Sequence, residues 1–259
     1  MRVLAALIVL AASPALAAGY SRLDDLSIPG SSRYERCLSL ARSSPQAAYD
    51  AAVKWNAGAP AGHCEAVALT GLHRYAESAA RLDALARDQK NGTPSDRAAL
   101  FDQAGNAWLL ASRPDQAVAS FTAGLALSAN DGDLLTDRAR ASAMRKDWAA
   151  ADRDLSAALM RDFGDAELYV LRASARHALG RKKEARADLD RALDMRPAYP
   201  EALLERAGLE MEAGDTAKAK ADWQAIIDTA PHSAEAKDAR AHLSELEAPR
   251  PGPAVPAVR

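Results

Sequence analysis

The chain has 259 residues, 33 Lys and Arg against 35 Asp and Glu, and a formal net charge of -2. Near-balanced charge excludes the global positive field that draws proteins onto nucleic acid or anionic membranes. Only 5% of residues are aromatic and Ala is abundant, which favours close-packed helices over a β-sandwich.

The chain opens as an export signal, with Arg2 as the positive segment, Val3 to Ala12 as an apolar run, Pro14 as its break, and Ala15-Leu16-Ala17 as a small-residue cleavage site. Cleavage is expected after Ala17, because an apolar run this short falls below the ~20 residues of a bilayer-spanning helix. No Cys lies near the cleavage site for a lipid anchor, and no later segment is apolar enough to span a membrane. Residues 18–31 read as a flexible N-terminal segment.

Two divergent helical hairpins are expected over residues 32–97. The first pairs Ser32–Arg42 with Pro45–Asn56, broken at Ser43-Ser44-Pro45; the second pairs His63–Gly71 with Arg74–Arg87 and ends before Lys90-Asn91-Gly92-Thr93-Pro94. Cys37 and Cys64 fall on the first helices of these successive hairpins. In a reducing cytosol they would be small buried hydrophobes; in an oxidising compartment they would form one disulfide, and the export signal favours the bond.

From residue 98 onward the sequence repeats every 34 residues. Ala117, Ala151, Ala185 and Ala219 form one column. Gly105, Ala139, Ala173 and Ala207 form a small column, and Phe121, Leu155, Leu189 and Trp223 a large one, continued by Leu125, Leu159, Leu193 and Ile227. Each window divides into two helices. Gly180 and Gly214 stand where the chain leaves the first helix, and Asp147 and Asp215 follow as N-caps. The small column lets the paired helices approach; the large one fills the space between hairpins. The windows are 98–131, 132–165, 166–199 and 200–233. Residues 234–247 then make a capping helix whose first turn reaches back to His232, and residues 248–259, with four Pro, make a disordered Pro-rich tail.

This pattern resembles the tetratricopeptide repeat family. Residues 166–199 carry Tyr169, Ala173, Gly180, Ala185, Leu189, Ala192 and Pro197 at the family's motif places; residues 200–233 carry Ala207, Gly214, Ala219, Trp223 and Pro231. Ala129 and Phe163 stand in the two earlier windows where Pro is usual. The resemblance implies an all-α fold: a right-handed superhelical α-solenoid of helix-turn-helix repeats with a C-terminal capping helix. It also implies a concave groove lined by first helices. Carried over by position, the groove residues are Asp102, Asn106, Leu109, Asp133, Thr136, Arg140, Val170, Ser174, His177, Leu204 and Met211, joined by Ala143, Glu167 and Glu201. Family members that clamp a chaperone's C-terminal carboxylate use Lys, Asn and Arg in the groove. Only Asn106 and Arg140 remain of that set, so a co-chaperone of this kind is not expected.

One more column pairs Arg138, Arg172 and Arg206 with Asp154, Asp188 and Asp222, sixteen residues on. As structural ion pairs they would connect helices; as ligand groups the arginines would take an anion. The structural reading is favoured, since a guanidinium facing a carboxylate in each repeat is already satisfied. His63, His73, His177, His232 and His242 lack metal-ligand spacing, and neither a phosphate loop nor a nucleophile elbow occurs. No cofactor and no metal are expected. The chain reads as a non-enzymatic scaffold or adaptor of the bacterial cell envelope, exported to the periplasm, holding a protein or peptide partner. The alternative is an enzyme or small-ligand protein using the Arg column or His177.

Overall fold

The computed structural model describes residues 32–56 and 58–247; the expected signal peptide, the segment 18–31 and the Pro-rich tail lie outside the described residues. Among the described residues every regular element is an α-helix. They fall into two compact units divided after Phe163. The first holds α1 (Ser32–Ser43), α2 (Pro45–Trp55), α3 (Gly58–Gly71), α4 (Tyr75–Arg87), α5 (Pro94–Leu110), α6 (Pro114–Leu127), α7 (Gly132–Met144) and α8 (Trp148–Leu159). The second holds α9 (Ala166–Ala178), α10 (Lys182–Met195), α11 (Pro200–Ala213), α12 (Thr216–Thr229) and α13 (Ala234–Glu247).

Helix starts follow local chemistry. Before α5, Thr93 Oγ1 accepts from the Asp96 amide at 3.2 Å while Asp96 Oδ2 accepts from the Thr93 amide at 2.8 Å, and Pro94 takes the first helical position. This box starts α5 four residues before the repeat window opens. Asp147 caps α8 through the Ala150 amide at 3.1 Å, and Asp215 caps α12 through the Lys218 amide at 3.3 Å. Ser233 Oγ accepts from the Ala236 amide at 3.0 Å, so α13 begins at Ala234 and not at His232. α3 starts at Gly58, ahead of the expected His63.

The turns inside hairpins share one geometry. Ser112, Lys146, Gly180 and Gly214, spaced by 34 residues, all have positive φ, between 56° and 83°. In each turn the next residue's amide reaches back five residues: Arg113 to Trp108 O at 2.8 Å, Asp147 to Ser142 O at 2.9 Å, Arg181 to Arg176 O at 2.8 Å and Asp215 to Glu210 O at 2.9 Å. These bonds satisfy carbonyls that the ending helix leaves orphaned.

The packing columns form the interior. Ala117, Ala151, Ala185 and Ala219 are buried, as are Phe121, Leu155, Leu189 and Trp223. Helices approach closely at Gly105, where an added Cβ would sit 2.4 Å from the Phe121 ring, so a hydrogen is all that fits. In the second unit Ala173, Ala185, Leu189, Ala207, Ala219 and Trp223 belong to one apolar cluster. Ile227 is only partly buried; its neighbour Ile226 takes the interior place.

Cys37 on α1 and Cys64 on α3 are joined as a disulfide, with Cα atoms 6.1 Å apart. Both are buried beside Tyr34, Leu38 and Ala52.

Candidate partner-binding surfaces

In the first unit, polar side chains on the first helices of successive hairpins are bonded to one another. Tyr34 OH on α1 lies 2.7 Å from His63 Nδ1 on α3, and His63 Nε2 lies 2.9 Å from Gln103 Oε1 on α5. Because Gln103 presents its carbonyl oxygen, Nε2 carries the proton and Nδ1 accepts from the Tyr34 hydroxyl. His63 is fully buried, and that burial holds its pKa below the usual histidine range. The imidazole is therefore a neutral relay across three helices.

Between α5 and α7, Asp137 collects both remaining family-type polar groups. Asn106 Nδ2 donates to Asp137 Oδ2 at 2.9 Å, and Arg140 donates to Asp137 Oδ1 at 2.7 Å. Asn106 Nδ2 also donates to the Asp102 carbonyl at 3.2 Å. Arg140 and Asn106 thus share one carboxylate inside the protein, and the charge that a carboxylate clamp would need is already met by Asp137. Leu109 is half-buried and Asp133 exposed.

In the second unit, His177 Nε2 on α9 sits 3.1 Å from Glu212 Oε1 on α11, and Lys182 Nζ donates to Glu212 Oε2 at 2.7 Å. The Ser174 hydroxyl hydrogen-bonds the Glu205 carboxylate across the same two helices, and burial pushes the Glu205 pKa up. Burial also raises Glu201, helped by repulsion from Glu235 and Glu167, and pushes the Tyr199 phenol up to about 12. Leu204 and Met211 are half-buried against the unit's apolar cluster.

Two expected groove residues do not present themselves to a partner. Thr136 is buried with its hydroxyl turned back on the Gly132 carbonyl at 2.8 Å, and Val170 is buried in the apolar cluster of the second unit. Asp137, Glu205 and the Tyr34–His63–Gln103 relay were absent from the sequence-derived set. Asp137 and Glu205 share the sixth place of their windows, a faint polar column that the sequence does carry.

The repeated Arg and Asp residues form two-pronged ion pairs inside each of the last three hairpins. Arg138 grips Asp154 through Nε and NH2, both at 2.8 Å; Arg172 grips Asp188 at 2.9 and 2.7 Å; Arg206 grips Asp222 at 2.8 Å twice. The paired edge of each guanidinium is committed to a carboxylate, and Asp154 and Asp222 hold Arg138 and Arg206 above the ordinary arginine pKa. Among the described residues no group of three or more His, Cys, Asp and Glu converges to hold a metal ion, and no helix is long and apolar enough to cross a membrane.

Residues 166–199 match the family model described as "Tetratricopeptide repeat", the window whose turn, packing columns and ion pair are given above. That one segment is matched as a tetratricopeptide repeat. Similar curated proteins include RNA polymerase II-associated protein 3 from Homo sapiens, 30% identical over 111 residues, which are 43% of this chain and 17% of that protein. The chain thus matches under a fifth of that relative's length. Among solved structures, MamA superposes with a TM-score of 0.57 at 13% identity, covering 68% of this chain and 96% of that one. YrrB, described as a TPR protein with an unusual peptide-binding site, superposes with a TM-score of 0.57 at 19% identity, covering 74% and 97%. At these identities the two structures share the repeat fold with this chain.

Proposed function

We propose that this protein is a non-enzymatic interaction scaffold of the bacterial cell envelope, whose first-helix faces hold a peptide or a partner helix. The observation that carries this reading is the division of labour among its side chains. Ala and large apolar columns pack the hairpins, and Arg–Asp forks tie the last three hairpins internally. The first helices are left with a mixed surface of carboxylates, amides and half-buried Leu and Met, which suits extended or helical ligands. YrrB uses the same fold around a peptide-binding site.

Export to the periplasm is part of the proposal. Arg2, the Val3–Ala12 run and the Ala15-Leu16-Ala17 site support it. So does the Cys37–Cys64 bond, since such bonds persist chiefly in oxidising compartments. The test is a crosslinking pull-down from envelope extract with the mature protein and with a variant carrying Asn106→Ala, Arg140→Ala and Ser174→Ala. Loss of a discrete captured partner at unchanged helicity is expected. Equal capture by the variant removes the first-helix faces from the function.

A further inference from the structure

We propose that a cavity between α2, α3 and α4 of the first unit binds a free α-amino acid with an apolar side chain, its carboxylate on Arg81 and its ammonium on Glu65. Glu65 lies two residues past His63, about 200° around α3, and so faces away from the relay to α1 and α5. The site is separate from the peptide-holding faces, and its failure would leave that reading untouched.

The cavity follows from the sequence of α3. Its first five residues, Gly58-Ala59-Pro60-Ala61-Gly62, are small apart from Pro60, so nothing fills the space between the C-terminal halves of α2 and α4. The resulting volume is about 650 Å³, within the roughly 300–1,000 Å³ usual for small-ligand sites. Ala52, Ala61 and Leu85 are buried in its apolar lining. Val53 lines it too and is left 49% exposed, an apolar surface that a bound side chain would cover.

A second, independent feature is the ion pair in the lining. Glu65 on α3 and Arg81 on α4 are 16 residues apart, the spacing of the Arg–Asp forks, but acid and base have changed helices. Each fork engages both carboxylate oxygens through Nε and NH2. Here only Arg81 Nε donates, to Glu65 Oε2 at 2.9 Å, and among the described residues NH1 and NH2 of Arg81 and Oε1 of Glu65 make no hydrogen bond. The guanidinium lies across Gly62, where an added Cβ would sit 2.9 Å from NH2. The cavity therefore presents donors and an acceptor side by side. A ligand carboxylate accepts from the guanidinium, and a ligand ammonium donates to Oε1. An α-amino acid carries both groups on one carbon, which suits a pair this close; a peptide carries them at opposite ends. With Asp88 the lining holds two carboxylates, Glu65 and Asp88, against one guanidinium, so an anion without an ammonium is disfavoured.

The probe is L-leucine, titrated into the isotope-labelled mature protein while its amide chemical shifts are followed. Saturable binding with a Kd of about 1 mM or tighter is expected, with shifts concentrated at Val53, Gly62, Glu65 and Leu85. Isocaproate lacks the ammonium, isoamylamine lacks the carboxylate, leucyl-leucine separates the two charges, and glycine leaves Val53 uncovered; each should bind at least tenfold more weakly. Arg81→Gln should weaken leucine binding at least tenfold but change isoamylamine binding less than twofold. Glu65→Gln should weaken leucine binding as much and leave isocaproate binding no weaker. The four analogues need no protein variant and decide the matter if either variant loses helicity. The inference is overturned by the absence of saturable leucine binding, by shifts centred elsewhere in the chain, by leucyl-leucine binding as tightly as leucine, or by leucine binding to both variants within twofold of wild type.

Discussion

His63 shows how one side chain sets a pH limit. Its neutral imidazole bridges Tyr34 and Gln103 with no exposure to solvent, and burial depresses its pKa from the ordinary 6.5. The unfolded chain takes up a proton near that ordinary value while the folded protein still refuses it. Stability contributed by the neutral form is therefore intact above pH 6.5 and declines as pH falls below it, until the folded pKa is also passed. Urea titrations between pH 7.5 and about pH 5 should show this decline. In His63→Gln, which keeps a neutral amide in place, the slope attributable to this residue should vanish. An unchanged slope would mean that the relay does not remain neutral in the folded state. Its bridging role is not legible in the sequence because its partners lie 29 and 40 residues away, outside any repeat period. Glu205 and Asp137 escaped notice for a related reason: their meaning depends on which charge faces them, and a 34-residue alignment shows sizes more clearly than pairings.

At the scale of helices and turns, the sequence was far more legible. The Ala and Leu columns marked the paired helices, and Gly180 and Gly214 marked two of the turns, because the same steric demands recur at the same step. Lys146 and Ser112 adopt the same left-handed conformation without glycine, so their turns carried no such mark. The conformation costs an L-residue roughly 1 kcal/mol, which the back-reaching amide bonds of the turn offset. Lys146→Gly should accordingly stabilise the protein by up to about 1 kcal/mol, net of the extra freedom glycine gives the unfolded chain, and Gly180→Ala should destabilise it by about 1 kcal/mol. Denaturant midpoints at constant m-value would register both. Opposite signs would show that side-chain contacts, and not backbone conformation, govern these turns. The early start of α5 has a similar cause: Thr93 and Pro94 read as the end of the separating segment, although together with Asp96 they make a complete N-terminal cap.

For the molecule as a whole, the division into two compact units makes the Cys37–Cys64 bond a local constraint. It joins residues separated by 27 positions in the first unit, and closing a loop of that size should contribute about 3 kcal/mol, chiefly by restricting the unfolded chain. Reduction, or a paired Cys37→Ser and Cys64→Ser substitution, should lower the protection of α1 to α4 amides from hydrogen exchange. Protection in α9 to α13 should stay near its original level. A uniform loss through both units would show that the molecule unfolds as a single cooperative body, and no loss would make the bond energetically idle.

The Arg–Asp forks have a consequence for how such a chain can lengthen. Both members of each fork lie inside one 34-residue segment, so a tandem copy of residues 166–199 would arrive with its own counter-ion for every guanidinium in the fork. Duplication of the segment leaves no orphan charge at the new junction from this source, and the ancestral hairpin could multiply without first evolving a partner for it.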